Sequence, residues 1–396
     1  MIVRNYLQEL IKRMNEERNF VQVLYGPRQV GKTTMVLQLK ERISYESLYI
    51  TADDVPAVNR TWIKTAWDEA RRRLAISSGK CFLLIIDEVQ KIDNWSETVK
   101  KEWDEDSRNG INLKIILTGS STLLVQKGLS ESLAGRFESI YIPHWSYPEM
   151  RDAFGWNVEQ YIWYGGYPGS AKLIREEYRW RNYVKNSLVE TSISKDILMM
   201  SKVDKPALLR RLFEIGSVYS TQIVAMNKVQ GDLQEKGNLT TLSNYLQLLE
   251  HAGLLAGLEK YTGKTIRQRA SKPKFQVFNN ALMSTQLSQT FSKARADHSL
   301  WGRLTESAVG MHLLNAAAGK DFKLYYWNEN NCEVDFVMKR NQEVIAIEVK
   351  SGKDAYTNGL TVFNEIFHPK RLFMVGTDGI PLEEFLCSDP ALLFEV

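Results

Sequence analysis

The sequence has few cysteines, no long apolar run and no marked excess of either charge. Its three cysteines, Cys81, Cys332 and Cys387, are far apart and form neither a metal-binding spacing nor a disulfide framework. Such usage is typical of a reducing compartment. No run of about 18 apolar residues, the length that a transmembrane helix needs, is found, and the first residues hold no apolar core of signal-peptide length. We therefore expect a cytoplasmic protein with no membrane partner.

The charge balance excludes a chain that is basic throughout. The 51 Lys and Arg residues against 47 Asp and Glu residues give a net charge of only +4, so any nucleic-acid-binding surface must be local. A hydrophobic content of 44% is typical of a globular protein. With 396 residues, the chain is too long for one ordinary core, and we expect two to four domains.

A glycine-rich loop follows the first apolar stretch, Phe20 to Tyr25, which predicts a buried strand. The loop fits the phosphate-binding pattern G-x-x-x-x-G-K-[ST], and a predicted helix follows it. Backbone N–H groups of such a loop surround phosphate oxygens, while its lysine contacts the β and γ phosphates and its threonine hydroxyl binds Mg²⁺. The predicted nucleotide-binding residues are Gly26, Pro27, Arg28, Gln29, Val30, Gly31, Lys32, Thr33 and Thr34.

Two carboxylates end a second apolar run, Cys81 to Ile86, whose composition predicts a strand that is buried on both faces of a parallel sheet. In open α/β sheets, ligands bind at the carboxyl ends of the strands. Asp87 is therefore a candidate for the Mg²⁺ shell, and Glu88 for a base that orients the attacking water. The alternative is an acidic strand end before a turn. The second acid favours a hydrolase over a nucleotide-binding switch or a phosphate-loop kinase.

Two further candidates follow in the chain. Ser120 lies three residues after the predicted strand Leu113 to Leu117; it could contact a γ-phosphate or the attacking water, or it could cap the next helix. Arg136 could reach the nucleotide of a neighbouring subunit as an arginine finger, which would require a homo-oligomer. It could equally cap a helix or hold an internal carboxylate.

The segments GPRQVGKTT, LLIIDEVQ, ILTGSS and SLAGRF, in this order, resemble the archaeal and bacterial AAA-type ATPases that carry a C-terminal domain of unknown function. This resemblance covers nearly the whole chain. It implies an AAA+-type sheet with strand order 5-1-4-3-2 and ATP and Mg²⁺ as cofactors. The residues by themselves predict only a parallel α/β sheet with helices on both faces.

The middle of the chain is predicted to contain a winged-helix unit from Ser220 to Tyr261. Ser220 could cap a first helix that runs through Val224 and Met226. Thr240 or Thr241 could cap a second helix, which would end at Gly253. The residues of this second helix that would face inward are Leu242, Tyr245, Leu246 and Leu249. Two predicted helices separated by a turn, in this order, resemble a helix-turn-helix motif. The exposed positions of the second helix contain no Arg or Lys, which weakens DNA recognition and favours packing against protein.

The sequence contains two local clusters of basic residues. Five cations lie within 11 residues without an acid and predict either a phosphate-binding surface or a solvated linker: Lys264, Arg267, Arg269, Lys272 and Lys274. The triplet Arg71 to Arg73, on a predicted helix, is interpreted as a solvated face.

A second group of acids lies near the end of the sequence. Cys332 to Met338 and Glu343 to Lys350 predict a β-hairpin, and the preceding apolar spacing predicts a helix. These elements resemble the PD-(D/E)xK nuclease fold. The resemblance implies a Mg²⁺ site whose candidate residues are Glu306 on the helix, Asp335 at the end of one strand, and Glu348 and Lys350 on the next. The alternative is an inherited fold whose charges form a solvated strand face.

Together these patterns predict an α/β protein of three domains. We expect an AAA+-type ATPase domain at residues 1–150, a helical segment with a winged-helix unit at 151–264, and a restriction-endonuclease-like α/β domain at 265–396. The predicted function is Mg²⁺-dependent ATP hydrolysis coupled to a DNA-related task. The alternative is an ATP-dependent regulatory switch whose C-terminal domain binds protein or DNA without cleaving it.

Overall fold

The computed structural model describes residues 2–59, 61–77, 80–120, 129, 132–199, 203–226, 229, 238–263, 271–352 and 358–395. It divides into two compact units, Met1–Ile142 and Pro143–Val396. Among the described residues, no helix has both the length and the apolar composition needed to cross a membrane.

The first unit is built on a five-stranded parallel sheet. Its strands are β1 (Val21–Tyr25), β2 (Ser47–Thr51), β3 (Phe82–Asp87), β4 (Leu113–Gly119) and β5 (Phe137–Tyr141). Their order is β2-β3-β4-β1-β5, and each neighbouring pair is parallel. The strand order that the family resemblance implied is thus confirmed.

Helices cover both faces of this sheet: α1 (Tyr6–Asn15), α2 (Lys32–Lys40), α3 (Thr61–Ile76) and α4 (Trp95–Asn109). Successive strand residues point to opposite faces, so β3 contributes to two cores. Leu83 and Ile85 pack with residues of α1 and α2. Leu84 and Ile86 pack on the other face with residues of α3 and α4, such as Trp67. All six residues of β3 are buried, as the apolar run predicted.

The second unit begins with a mainly helical, aromatic-rich part. Its elements are α5 (Tyr147–Phe154), α6 (Val158–Tyr164), α7 (Glu177–Asn182), α8 (Pro206–Val218) and α9 (Leu239–His251), followed by strands β6 (Leu255–Leu258) and β7 (Lys274–Val277). Between α7 and α8, residues 183–189 and 192–198 form π-helical turns. Large side chains such as Trp163, Trp180 and Phe213 are almost completely buried here.

The predicted winged-helix unit agrees with the structure only in its second half. Asn238 caps α9 by accepting a hydrogen bond from the Thr241 N–H, and the four predicted inward residues are all buried. The predicted first helix is wrong, because residues 220–225 are not helical. Instead, this β-branched segment lies along β7: the Thr221 N–H donates to the Phe275 carbonyl, and the Val224 N–H donates to the Pro273 carbonyl. The winged-helix assignment stays a prediction.

The chain ends in a mixed four-stranded sheet with helices around it. The strands β8 (Lys323–Glu329), β9 (Cys332–Arg340), β10 (Glu343–Lys350) and β11 (Arg371–Gly376) lie in the order β11-β10-β9-β8. The hairpin of β9 and β10 is antiparallel, as predicted, and β10 pairs with β11 in parallel. The remaining helices are α10 (Asn280–Ser284), α11 (Phe291–Ala296), α12 (His298–Ala317), α13 (Gly359–Phe367) and α14 (Leu382–Cys387).

Helices α12 and α13 cover different faces of this sheet. Val309 and Leu313 of α12 share a buried cluster with Phe336 of β9. Phe363 of α13 shares another cluster with Val337, the next residue of β9. Because neighbouring strand residues face opposite sides, β9 is covered on both faces.

Candidate active site

The loop after β1 has the backbone geometry of a phosphate-binding loop. Gly31, with φ +94°, directly precedes α2, so its neighbouring amides lie at a helix N-terminus. A side chain at Gly26 would bring its Cβ to 2.2 Å from the Ile142 carbonyl oxygen. Glycine at this position is therefore required by close backbone approach as well as by the turn.

Lys32 begins α2 and points back over the loop. Its ammonium group donates to the carbonyl oxygens of Gly26, at 2.9 Å, and Pro27, at 2.7 Å. The residue is only 6% exposed. Carbonyl groups are neutral, so these two hold the ammonium group without cancelling its positive charge. This is the arrangement that phosphate binding requires.

Asp87 ends β3 and accepts hydrogen bonds from hydroxyl groups of three elements. Thr33 of α2 donates to its Oδ2 at 2.8 Å, and Tyr49 of β2 donates to the same oxygen at 2.7 Å. Thr118 of β4 donates to Oδ1. Burial and the bond to Asp87 both raise the pKa of Tyr49, so Tyr49 remains a neutral donor. Tyr49 and Thr118 were not predicted as site residues. Thr118 could have been suspected from the sequence, because it lies in the quoted ILTGSS segment.

The pair of Thr33 and Asp87 fits a Mg²⁺ site. Neighbouring ligands of an octahedral ion with bonds of about 2.1 Å lie roughly 3 Å apart. The 2.8 Å between the Thr33 hydroxyl oxygen and Asp87 Oδ2 is close to that separation. Both are hard oxygen donors, the type that this ion prefers.

Glu88 lies beside Asp87 in a left-handed backbone conformation, with φ +53°. The Ser120 hydroxyl donates to its Oε2 at 2.9 Å, and the Gln90 side-chain amide donates to the same oxygen at 2.6 Å. Ser120 is buried, and its hydrogen bond places it beside Glu88. The alternative role of Ser120 as a helix cap involves residues 121–128, which lie outside the described residues. Gln90 was not predicted as a site residue, although it is the last residue of the quoted LLIIDEVQ segment.

Arg136 holds an internal carboxylate, one of the alternatives that the sequence left open. Its Nε lies 2.7 Å from Asp104 Oδ1, and its Nη2 lies 3.1 Å from Asp104 Oδ2. The guanidinium lowers the pKa of Asp104. The side chains are 34% and 36% exposed, so the pair is reachable from solvent. The role in a neighbouring subunit stays a prediction.

The acids of the predicted nuclease-like site lie around a lysine that the sequence assigned elsewhere. Lys274 of β7 places its Nζ 2.7 Å from Glu306 Oε1, 3.1 Å from Glu333 Oε1 and 3.5 Å from Asp335 Oδ1. Its side chain is 1% exposed. Burial disfavours the charged ammonium, but Glu306, Asp335 and Glu333 outweigh burial and raise the pKa of Lys274.

The remaining residues of the cluster are also paired. Asp335 lies in the middle of β9 rather than at its end, and its Oδ2 accepts the Val349 N–H at 2.8 Å. On β10, Lys350 lies 2.8 Å from Glu348, and both are largely buried. Burial and the neighbouring Asp335 raise the pKa of Glu306, against the effect of Lys274. Among the described residues, no three His, Cys, Asp or Glu side chains are placed to hold a metal ion.

Lys274 also corrects the interpretation of the basic cluster. As a buried residue with three carboxylate partners, it belongs to no phosphate-binding surface and to no solvated linker. Residues 264–270, which contain Lys264, Arg267 and Arg269, lie outside the described residues. Arg71, which was predicted on a solvated face, is only 16% exposed and binds the buried Glu102 and Asp106 at 2.7 Å each.

The fold and the site are those of a P-loop domain similar to AAA-type ATPases, and the sequence comparisons agree. Residues 18–151 match the family described as AAA domain. Residues 155–293 and 301–385 match two families described as domains of unknown function, DUF8612 and DUF4143.

The relatives extend beyond this domain. An uncharacterized protein of Haemophilus influenzae is 24% identical over 366 residues, which cover 87% of this chain and 85% of that protein. An uncharacterized protein of Methanocaldococcus jannaschii is 26% identical over 352 residues, which cover 83% of this chain and 74% of that protein. The Walker-type ATPase of Pyrococcus abyssi superposes with a TM-score of 0.50 at 13% identity, covering 72% of this chain and 96% of that one. This last likeness concerns the fold alone.

Proposed function

We propose that the chain binds ATP with Mg²⁺ at the loop after β1 and hydrolyses the γ-phosphate bond. One observation carries this proposal: Lys32 and Thr33 of the loop, Asp87 at the end of β3 with Glu88 after it, and Ser120 after β4 lie at the same edge of the parallel sheet. Ligands of open α/β sheets bind at this edge. A nucleotide-binding domain without hydrolysis would not need the second acid.

Each residue has a distinct role in this mechanism. Lys32 binds the β and γ phosphates. Thr33 and Asp87 would hold Mg²⁺, which would supply positive charge beside the phosphoryl oxygens. Glu88 accepts a hydrogen bond from the attacking water and orients it toward phosphorus. Ser120 and Gln90 both donate to one Glu88 oxygen, which positions the carboxylate. We assign the other carboxylate oxygen of Glu88, Oε1, to the attacking water.

The test separates nucleotide binding from hydrolysis. Glu88→Gln should keep the affinity for a fluorescent ATP analogue in Mg²⁺ but lower phosphate release by at least ~100-fold, because an amide cannot act as a base. Glu97→Gln, at an exposed position of α4, is the matched control and should leave both quantities unchanged. Equal turnover by wild type and Glu88→Gln would remove Glu88 from the mechanism.

Arg136 is proposed to complete the site of a neighbouring subunit in a homo-oligomer. This role requires that Arg136 release Asp104, which their partial exposure allows. Loss of an arginine finger costs turnover far more than nucleotide affinity. Mixing inactive Arg136→Ala and Glu88→Gln chains should therefore restore part of the phosphate release. A monomer in sedimentation together with no rescue would leave Arg136 as the structural partner of Asp104.

We further propose that ATP hydrolysis serves a DNA-related task of the second unit. Helix α9 followed by the antiparallel β6 and β7 supports the winged-helix interpretation, and α12 with the β9–β10 hairpin supports the nuclease-like one. Against direct base recognition, the exposed positions of α9 carry no Arg or Lys: Ser243, Asn244, Gln247 and Glu250.

The second candidate function is a regulatory switch whose second unit binds protein or DNA and cleaves neither. The pairing of the acidic cluster with Lys274 favours this candidate over a nuclease. Binding to duplex DNA that weakens steeply with salt would support the DNA task, because phosphate contacts release counterions. Phosphate release measured with and without that DNA then shows whether the two activities are coupled.

A further inference from the structure

Lys274 occupies the position in the acidic cluster where the nuclease interpretation would require a metal ion. Its nitrogen lies within 3.5 Å of carboxylate oxygens from two elements, namely Glu306 on α12 and Glu333 and Asp335 on β9. The Asp335 backbone carbonyl is a further acceptor at 3.3 Å. One cation therefore gathers oxygens of one helix and one strand around a single point, as a divalent ion would.

The surroundings of Lys274 leave its ammonium little freedom to move away. All four residues of β7 are buried, and the side chain of Lys274 lies over the Phe336 ring, with Nζ 5.2 Å from its centroid. On the backbone, Phe275 pairs with Gln222 and Gly257 on either side. Removing the ammonium from its partners would leave a charge in an apolar environment, which is strongly unfavourable.

The carboxylates are committed as well. Asp335 uses its Oδ1 for Lys274 and its Oδ2 for the Val349 N–H. Glu333 binds Lys274 through Oε1 and accepts the Asn328 side-chain amide on Oε2 at 3.3 Å. Glu348 is paired with Lys350 at 2.8 Å. A metal ion that entered the cluster would have to displace the ammonium and break these bonds.

We propose that Lys274 is the resident cation of this cluster, so that the nuclease-like sheet binds no divalent metal ion and cuts no nucleic acid by metal-dependent hydrolysis. The cluster then serves to tie β7 to α12 and β9. This role of Lys274 goes beyond the proposed ATP hydrolysis and does not depend on it, since every group involved belongs to the second unit.

The experiment measures Mn²⁺ binding by electron paramagnetic resonance in nucleotide-free protein. All variants carry Lys32→Ala to weaken metal binding with nucleotide at the phosphate loop. The parent Lys32→Ala chain should bind no Mn²⁺ that depends on Asp335. Adding Lys274→Met should create one Mn²⁺ site per chain and a rise in Tm with Mn²⁺, and adding Asp335→Asn as well should abolish both. Lys323→Met, at an exposed position of β8, is the control and should create no site.

Two results would overturn the proposal. One is Mn²⁺ binding by the parent chain that Asp335→Asn removes; the other is a folded Lys274→Met chain that binds no Mn²⁺. If the Lys274→Met chain does not fold, the proposal is tested by whether Asp335→Asn raises or lowers the Tm of protein that retains Lys274. Loss of a partner for a buried ammonium should lower Tm by several degrees. A higher Tm would show that the acids repel one another, as in an unfilled metal site, and would contradict the proposal.

Discussion

The two units each bury a lysine at a predicted site, and the partners of the two lysines differ. The Lys32 ammonium is held by the carbonyl oxygens of Gly26 and Pro27, whereas the Lys274 ammonium lies among the carboxylates of Glu306, Glu333 and Asp335. Carbonyl dipoles stabilise a cation without neutralising it, so it still attracts phosphate. Carboxylates neutralise it, and a phosphate gains nothing there. The partner atoms therefore indicate which lysine can bind an anion.

The largest effect on stability is expected from Lys274→Met. The change leaves three carboxylates close together without their cation, and breaking a buried ion pair in this way costs about 3–5 kcal/mol of the free energy of unfolding. Urea denaturation in chelator-containing buffer measures it. Lys323→Met should leave the midpoint unchanged, because Lys323 is exposed. A stable Lys274→Met chain would mean that the cluster does not need its cation.

A smaller loss is expected from Arg71→Met in the first unit. Arg71 is 16% exposed and binds Glu102 and Asp106, but Asp106 also accepts the Trp67 indole N–H at 2.7 Å and so keeps a partner. We expect a loss of about 3 kcal/mol. The neighbouring Arg72 is 60% exposed and pairs only with Glu69 in the bonds described, so Arg72→Met should have no measurable effect. Equal effects of the two changes on stability would support the interpretation of Arg71 to Arg73 as a solvated face.

The first unit could be predicted almost completely, because its signals are contiguous. The phosphate loop, the apolar β3 and the acids at its end each lie within one short stretch, and their strands end at one edge of the sheet. The sequence marks Thr118 only as part of the ILTGSS segment, and it does not show that Tyr49, Thr118 and Gln90 donate hydrogen bonds to Asp87 or Glu88. These depend on strand order and on side-chain direction.

The second unit was predicted less well because its contacts are distant in sequence. Lys274 was grouped with its basic neighbours, although Phe275 and Val277 mark the segment as a buried strand, and its partners come from α12 and β9. Arg71 was grouped in the same way. Consecutive helix residues point about 100° apart, so a triplet cannot share one face, and this could have been predicted from the sequence.

The most direct test of the comparison is the affinity of a fluorescent ATP analogue in Mg²⁺, measured for Lys32→Met and Lys274→Met under conditions in which circular dichroism shows both chains folded. We predict that Lys32→Met weakens binding by roughly 100-fold, since it removes charged hydrogen bonds to phosphate, while Lys274→Met binds as wild type does. Equal losses in the two variants, or wild-type affinity in Lys32→Met, would contradict the account.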